Sequence, residues 1–193
     1  PSQLLDASAS LIPWSPRASR IPLASIRDYP DRGHALIRRL LGALHGLEFS
    51  FLLPGNGAAE LFTWAARDAA EQGLSVLAAP GFADYTRALR CWSATSRQQQ
   101  LPLLWDEGFP QPSPDPGEGS VLWICNPHNP TGQLWSRASL QPLLERYALV
   151  ICDEAFLPLV PNGEQQSLIP LVAEHSNLVV IRSLTKLYGI AGL

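Results

Sequence analysis

The chain has 193 residues, enough for one hydrophobic core and too few for two complete domains. Its 14 Lys and Arg against 17 Asp and Glu give a net charge of −3, which provides no electrostatic footprint for a nucleic-acid partner. The longest apolar runs, VLWIC and ALVIC, fall far short of the roughly 20 residues of a membrane span, so a soluble, cytoplasmic protein is expected. Cys91, Cys125 and Cys152 form no CxxC pair, and two of them lie in apolar runs, as buried structural thiols of a reducing compartment would.

Residues 1–32, with PWSP and YPD, read as an extended N-terminal arm, and residues 33–193 as one large domain. HALIRRLLGALHG carries apolar residues at helical spacing and predicts a helix stopping at Gly46. FSFLL predicts a buried strand, followed by PGNG and a helix over AAELFTWAARDAAEQG. SVLAA, VLWIC, ALVIC and NLVVI predict further strands, with SRQQQLPLLW a weaker one. Between them FADYTRALRCW, ASLQPLLERY and SLIPLVAEH predict helices. Strands apolar throughout and alternating with helices imply a parallel sheet covered on both faces, an α/β fold. The Pro-rich EGFPQPSPDPGEGS reads as a surface excursion.

Ligands of an open parallel sheet bind beyond the carboxyl ends of its strands, and the polar residues of this sequence cluster there. Gly55, Asn56 and Gly57 follow FSFLL, Asn126 to Gly132 follow VLWIC, Asp153 follows ALVIC, and Ser183 to Lys186 follow NLVVI. GNG before a helix is either a tight turn or an anion cradle of backbone amides backed by the helix dipole. NPHNPTG contains two Asn-Pro steps, one of which turn chemistry allows to be cis. His128 within it is expected to be structural or partly exposed rather than a general base. Asp153 reads either as a helix cap or as a fixed carboxylate with a buried partner, with Glu154 the more exposed neighbour. Lys186 is either a surface charge or an enzyme nucleophile, with the Ser183 and Thr185 hydroxyls beside it as phosphate donors.

NPHNPTG, DEAF and SLTK, in that order and spacing, resemble the fold-type I pyridoxal-phosphate enzymes of the aminotransferase class I/II group. The resemblance implies a three-layer αβα large domain with a mostly parallel sheet and a small carboxy-terminal domain. It implies that Lys186 bonds the cofactor, pyridoxal 5′-phosphate, and later moves the proton at the substrate α-carbon. Asp153 then pairs with the pyridine nitrogen, and Asn129 with the phenolic oxygen. Ser183 and the amides around Gly57, Ala58 and Ala59 hold the phosphate, and Tyr85 stacks on the ring. Tyr29 reaches the phosphate in a partner subunit, so a homodimer is expected.

Two positions depart from the pattern: Phe156 stands where many relatives carry a tyrosine, and Ile12 where they often carry asparagine. Within the group the segments are most similar to the threonine-phosphate decarboxylases and next to the histidinol-phosphate aminotransferases. The expected substrate is therefore an amino-acid phosphate, decarboxylated or transaminated, with decarboxylation of O-phospho-threonine in cobalamin biosynthesis the leading reading. A start without Met, and the absence of the arginine, last strand and small domain that the resemblance implies, suggest a piece of a longer protein. A third reading is therefore a non-catalytic fragment.

Overall fold

The computed structural model describes residues 10–12, 27, 29, 31–102 and 109–189. Most of the expected arm, residues 103–105 of the weak strand candidate and the terminal 190–193 lie outside these. Helix α1 (Ala35–His45) ends as predicted on Gly46, whose left-handed φ of 67° lets its N–H bond the Gly42 carbonyl. Helix α2 (Gly57–Gln72) leads into strand β1 (Ser75–Ala79), and helix α3 (Ala83–Cys91) connects β1 to β2 (Ser96–Gln100). Strands β3 (Val121–Cys125), β4 (Leu149–Asp153) and β5 (Leu178–Ile181) follow. All pairings are parallel, in the order β2-β1-β3-β4-β5.

Side-chain alternation along these strands builds two cores. Leu77, Val121, Trp123, Cys125, Leu149, Ile151 and Ile181 face one side, where Phe62, Ala65, Ala66 and Ala69 of α2 and Tyr85, Ala88 and Leu89 of α3 cover them. Leu122, Ile124, Val150, Cys152 and Leu178 face the other, against Trp135, Leu140, Leu144, Tyr147 and Leu168. This is the expected three-layer α/β arrangement. The outer strand β2, SRQQQ, is polar and largely exposed, as an edge strand tolerates.

Three predicted elements differ. FSFLL is not a strand: Phe49–Phe51 form a single 3₁₀ turn, and Phe49, Phe51 and Leu53 are exposed. A short apolar run has no period of its own to separate strand from turn. The helix expected over ASLQPLLERY is two one-turn pieces, α4 (Arg137–Leu140) and α5 (Leu143–Arg146), with Pro142, which lacks an N–H, between them. SLIPLVAEH likewise yields only a 3₁₀ turn at Ile169–Leu171, around Pro170. Among the described residues no helix is long and apolar enough to cross a membrane.

Candidate active site

Four strand ends meet at the carboxyl edge of the sheet, though not the four expected. With FSFLL out of the sheet, the exit of β1 takes its place, carrying Gly81, Phe82 and Tyr85. GNG still reaches the same edge, because α2 runs into β1 and so lies antiparallel to the strands with its N-terminus at their carboxyl ends. No side chain caps α2, and the Asn56 N–H bonds Glu60 at 2.5 Å. Gly57 has a left-handed φ of 75° and faces open space. The amides of Gly57, Ala58 and Ala59 thus form the first turn of a 16-residue helix, and Ala58 packs against the first core.

Asp153 is the last residue of β4 and continues the Leu149–Ile151 face. Its Oδ1 accepts the Ala155 N–H at 2.9 Å in a local turn; no helix starts there, since the next helical turn, Leu157–Leu159, is capped by Phe156, so Asp153 is not a helix cap. Its Oδ2 accepts the Tyr85 hydroxyl at 2.6 Å. Burial pushes the carboxyl up from its ordinary 3.8, while the two hydrogen bonds and the charge of Lys186 draw it back down. Lys186 lies in α6 (Leu184–Tyr188), just past β5. Its Nζ sits 5.4 Å from the centre of the Phe156 ring, a cation–π contact that occupies the position of the missing tyrosine. Thirteen of the 14 basic residues are arginine, so Lys186 is the sole lysine of the chain.

Tyr85 does not take the stacking position that the resemblance implies. It is 5% exposed, its ring is enclosed by Phe62, Phe82 and Trp123 at 5.0–5.6 Å, and its hydroxyl is committed to Asp153. One turn earlier, Phe82 is 38% exposed and is the aromatic that presents a surface here. Phe82 precedes α3 in extended backbone, with φ −71° and ψ 124°, and stays partly exposed at the strand exit, while Tyr85 inside the helix is buried against the first core.

The loop after β3 is pinned from within. Asn126 bonds the backbone of Trp135 with both ends of its amide, at 2.8 and 3.1 Å. The Thr131 hydroxyl donates to Gln133 and therefore accepts from His128 Nδ1, both at 2.8 Å. Burial lowers the pKa of His128, which makes it a neutral structural residue as expected. Both Asn-Pro bonds are cis. Asn129 is half-buried, and its N–H lies on Cys125, which is in register with Asp153. Cys125 is buried and its thiol is pushed up to about 12, chiefly by burial. Cys152 is buried and raised as well, so neither is a nucleophile at neutral pH. Cys91 is exposed.

Glu154 is not the exposed neighbour. It is 0% exposed, because one step past Asp153 its side chain enters the opposite face of a strand covered on both sides. There it meets Arg182, Ser167 and the Leu168 N–H. The alternation of β4 contains this signal: in a doubly covered strand both residues of an acidic pair must find partners. Tyr29 is fully exposed and makes no described contact with the site. Ile12 is half-buried, and nothing described brings it to the strand ends.

A doubly covered parallel sheet whose carboxyl edge carries an amine, a buried carboxylate and an open helix N-terminus has the groups that a lysine-bound, phosphorylated cofactor requires. Residues 24–193 match the family model of aminotransferase class I and II, and the chain belongs to that family. Over its whole length it is 34% identical to threonine-phosphate decarboxylase of Salmonella typhimurium, covering 55% of that protein. It is 31% identical to histidinol-phosphate aminotransferase of Bacillus velezensis, over 86% of the chain and 47% of that protein. Among solved structures, L-threonine-O-3-phosphate decarboxylase from Porphyromonas gingivalis aligns with a TM-score of 0.71 at 26% identity, over 89% of this chain and 53% of that one. Histidinol-phosphate aminotransferase from Sinorhizobium meliloti, in complex with pyridoxal-5′-phosphate, aligns with a TM-score of 0.71 at 19% identity, over 88% and 47%. At that identity the likeness speaks for the fold alone. The chain spans about half the length of the curated relatives it matches.

The family's cofactor is pyridoxal 5′-phosphate, and it is the cofactor of this chain. The residues present fit it. Asp153 is a buried carboxylate that lacks a full cationic partner, which a protonated pyridine nitrogen supplies, and the uncapped α2 terminus suits a phosphate.

Proposed function

We propose that the protein decarboxylates a phosphorylated amino acid, O-phospho-L-threonine, in the cytoplasm as a step of cobalamin biosynthesis. The observation that carries this reading is the 34% identity to a threonine-phosphate decarboxylase across the entire chain. Bound pyridoxal phosphate supplies an electron sink for the bond broken at the substrate α-carbon.

In this reading the Lys186 amine anchors the cofactor and, once released by substrate, delivers a proton to the α-carbon as carbon dioxide leaves. Asp153 keeps a proton on the pyridine nitrogen, and Tyr85 holds Asp153 in the orientation that requires. Asn129 offers its amide to the phenolic oxygen, the α2 amides and the Ser183 hydroxyl take the phosphate, and Phe82 offers its ring face. Phe156 donates no hydrogen bond and instead steers the Lys186 ammonium. The homodimer belongs to the same proposal, with Tyr29 reaching a partner's phosphate. Its support is the row of exposed leucines Leu36, Leu40 and Leu44 along α1.

Transamination of histidinol phosphate is the second reading, favoured by the 31% identity to the Bacillus velezensis enzyme. Incubating the full-length protein with O-phospho-L-threonine separates them. Carbon dioxide release without a 2-oxoacid is expected; amino transfer from histidinol phosphate to a 2-oxoacid, without carbon dioxide release, would overturn decarboxylation. A full-length protein that does neither is the non-catalytic case.

A further inference from the structure

On the face of the sheet opposite Asp153, the exits of β4 and β5 are tied together by charge. The last ladder pair is Asp153 with Ile181, and one residue further the Glu154 N–H bonds the Ile181 carbonyl at 2.9 Å. Glu154 Oε2 then accepts Arg182 Nε at 3.0 Å and Nη2 at 2.8 Å. Ser167 donates its hydroxyl to the same oxygen at 2.8 Å, and the Leu168 N–H reaches Oε1 at 2.7 Å. Arg182 is in turn gripped from outside by Glu164, through Nη1 at 2.7 Å and Nη2 at 2.9 Å, and Nη2 also bonds Ser167 Oγ at 2.9 Å. The two charges at the centre of this cluster lie within a few residues of the site: Glu154 follows Asp153 directly, and Arg182 precedes Ser183 directly and Lys186 by four residues.

Holding two strands of a packed sheet together does not call for a buried carboxylate. Removing two charges from water is costly, and apolar residues of similar volume often serve stability as well or better. What a doubly bonded guanidinium adds over apolar packing is a fixed distance and orientation. From this arrangement we infer that Glu154 and Arg182 are positioning residues: they clamp the two strand exits so that Asp153 on one and Ser183 and Lys186 on the other stand at the spacing the cofactor spans. The inference rests on the proposed function, since it presumes that these three groups hold one molecule.

The clamp acts on cofactor binding in a way that plain packing does not. Loosening it changes how strongly pyridoxal phosphate is retained and how the Lys186–cofactor absorbance responds to pH, because both depend on the distance between Lys186 and Asp153. The test uses the full-length protein and pyridoxal phosphate in two variants, Glu154→Gln and the milder Ser167→Ala, which keeps both charges. Absorbance titration gives the dissociation constant and the pH midpoint of the cofactor band, and melting of the apo form reports packing. Glu154→Gln is expected to weaken retention at least tenfold and to move the midpoint, with Ser167→Ala moving both in the same direction by less. If both quantities stay within twofold and about 0.2 pH unit of wild type while the apo melting temperature falls, the pair is packing only and the inference is overturned. If Glu154→Gln does not fold, an unchanged Ser167→Ala suffices to overturn it. Borohydride trapping of wild type separates the two failures: no adduct on Lys186 removes the proposed function and the clamp with it, whereas an adduct with unaltered variants removes the clamp alone.

Discussion

Asp153 owes its character to two neighbours and to its depth. The Tyr85 hydroxyl is one of its two hydrogen bonds, so Tyr85→Phe leaves a buried carboxylate half satisfied. Hydrogen bonds to charged groups contribute about 1.5–3 kcal/mol, and pyridoxal-phosphate titration is expected to show at least a tenfold weaker dissociation constant, with the apo fold intact. Asp153→Asn behaves differently. The folded carboxyl is raised above 3.8, so the apo protein binds this proton more tightly than the unfolded chain, and stability from the group falls as pH rises through that range. Removing the charge is therefore expected to raise the apo melting temperature relative to wild type as pH rises above about 4, while abolishing turnover. A melting temperature below wild type at neutral pH would contradict this sign. At this scale the placement of Asn129, Asp153 and Lys186 at the carboxyl ends of the strands was legible, because each stands in a polar segment at the end of an apolar run. The part played by Tyr85 was not, because a tyrosine at a helix start reads equally as a ring facing the cleft or as one facing the core. The buried partner of Glu154 was missed for another reason: Arg182 lies 28 residues away, and only strand pairing brings it close.

The elements that position the site are those with strong periods or doubly covered strands, and these were read correctly from sequence. β1, β3 and β4, the three central strands, are largely apolar on both faces, as a parallel strand covered on both sides requires, and β5 beside β4 keeps the same apolar character at the sheet's other edge. Errors fell where Pro interrupts an apolar run, at Pro142 and Pro170, and where the run FSFLL is too short to carry a period. The turn from β1 into α3 is the tightest of the site elements: a side chain at Gly81 would overlap the Ala78 carbonyl. Gly81→Ala is expected to destabilise the protein by about 1–3 kcal/mol, the usual cost of overpacking, measurable by denaturant unfolding. Because that turn carries Phe82 and Tyr85, weaker cofactor retention should accompany it. A variant as stable as wild type would show that the turn relaxes freely.

Across the whole molecule, two cores on the two faces of one sheet account for the described fold, and neither core engages the outer row of α1. Leu36, Leu40 and Leu44, four residues apart, stand exposed in line, and Phe49, Phe51 and Leu53 are exposed in the segment that follows. The proposed homodimer puts a second copy over this row. Replacing Leu40 and Leu44 by Glu in the full-length protein is then expected to convert a dimer to a monomer in sedimentation velocity, and an unchanged dimer would place the interface elsewhere. The central claim, that this sheet edge holds pyridoxal phosphate through Lys186, is tested most directly by borohydride reduction of the full-length protein with the cofactor, followed by peptide mass mapping. Lys186 is the one ε-amine within these 193 residues. A phosphopyridoxyl group on the peptide containing Lys186 is the predicted result; a protein that retains no label there would contradict the account.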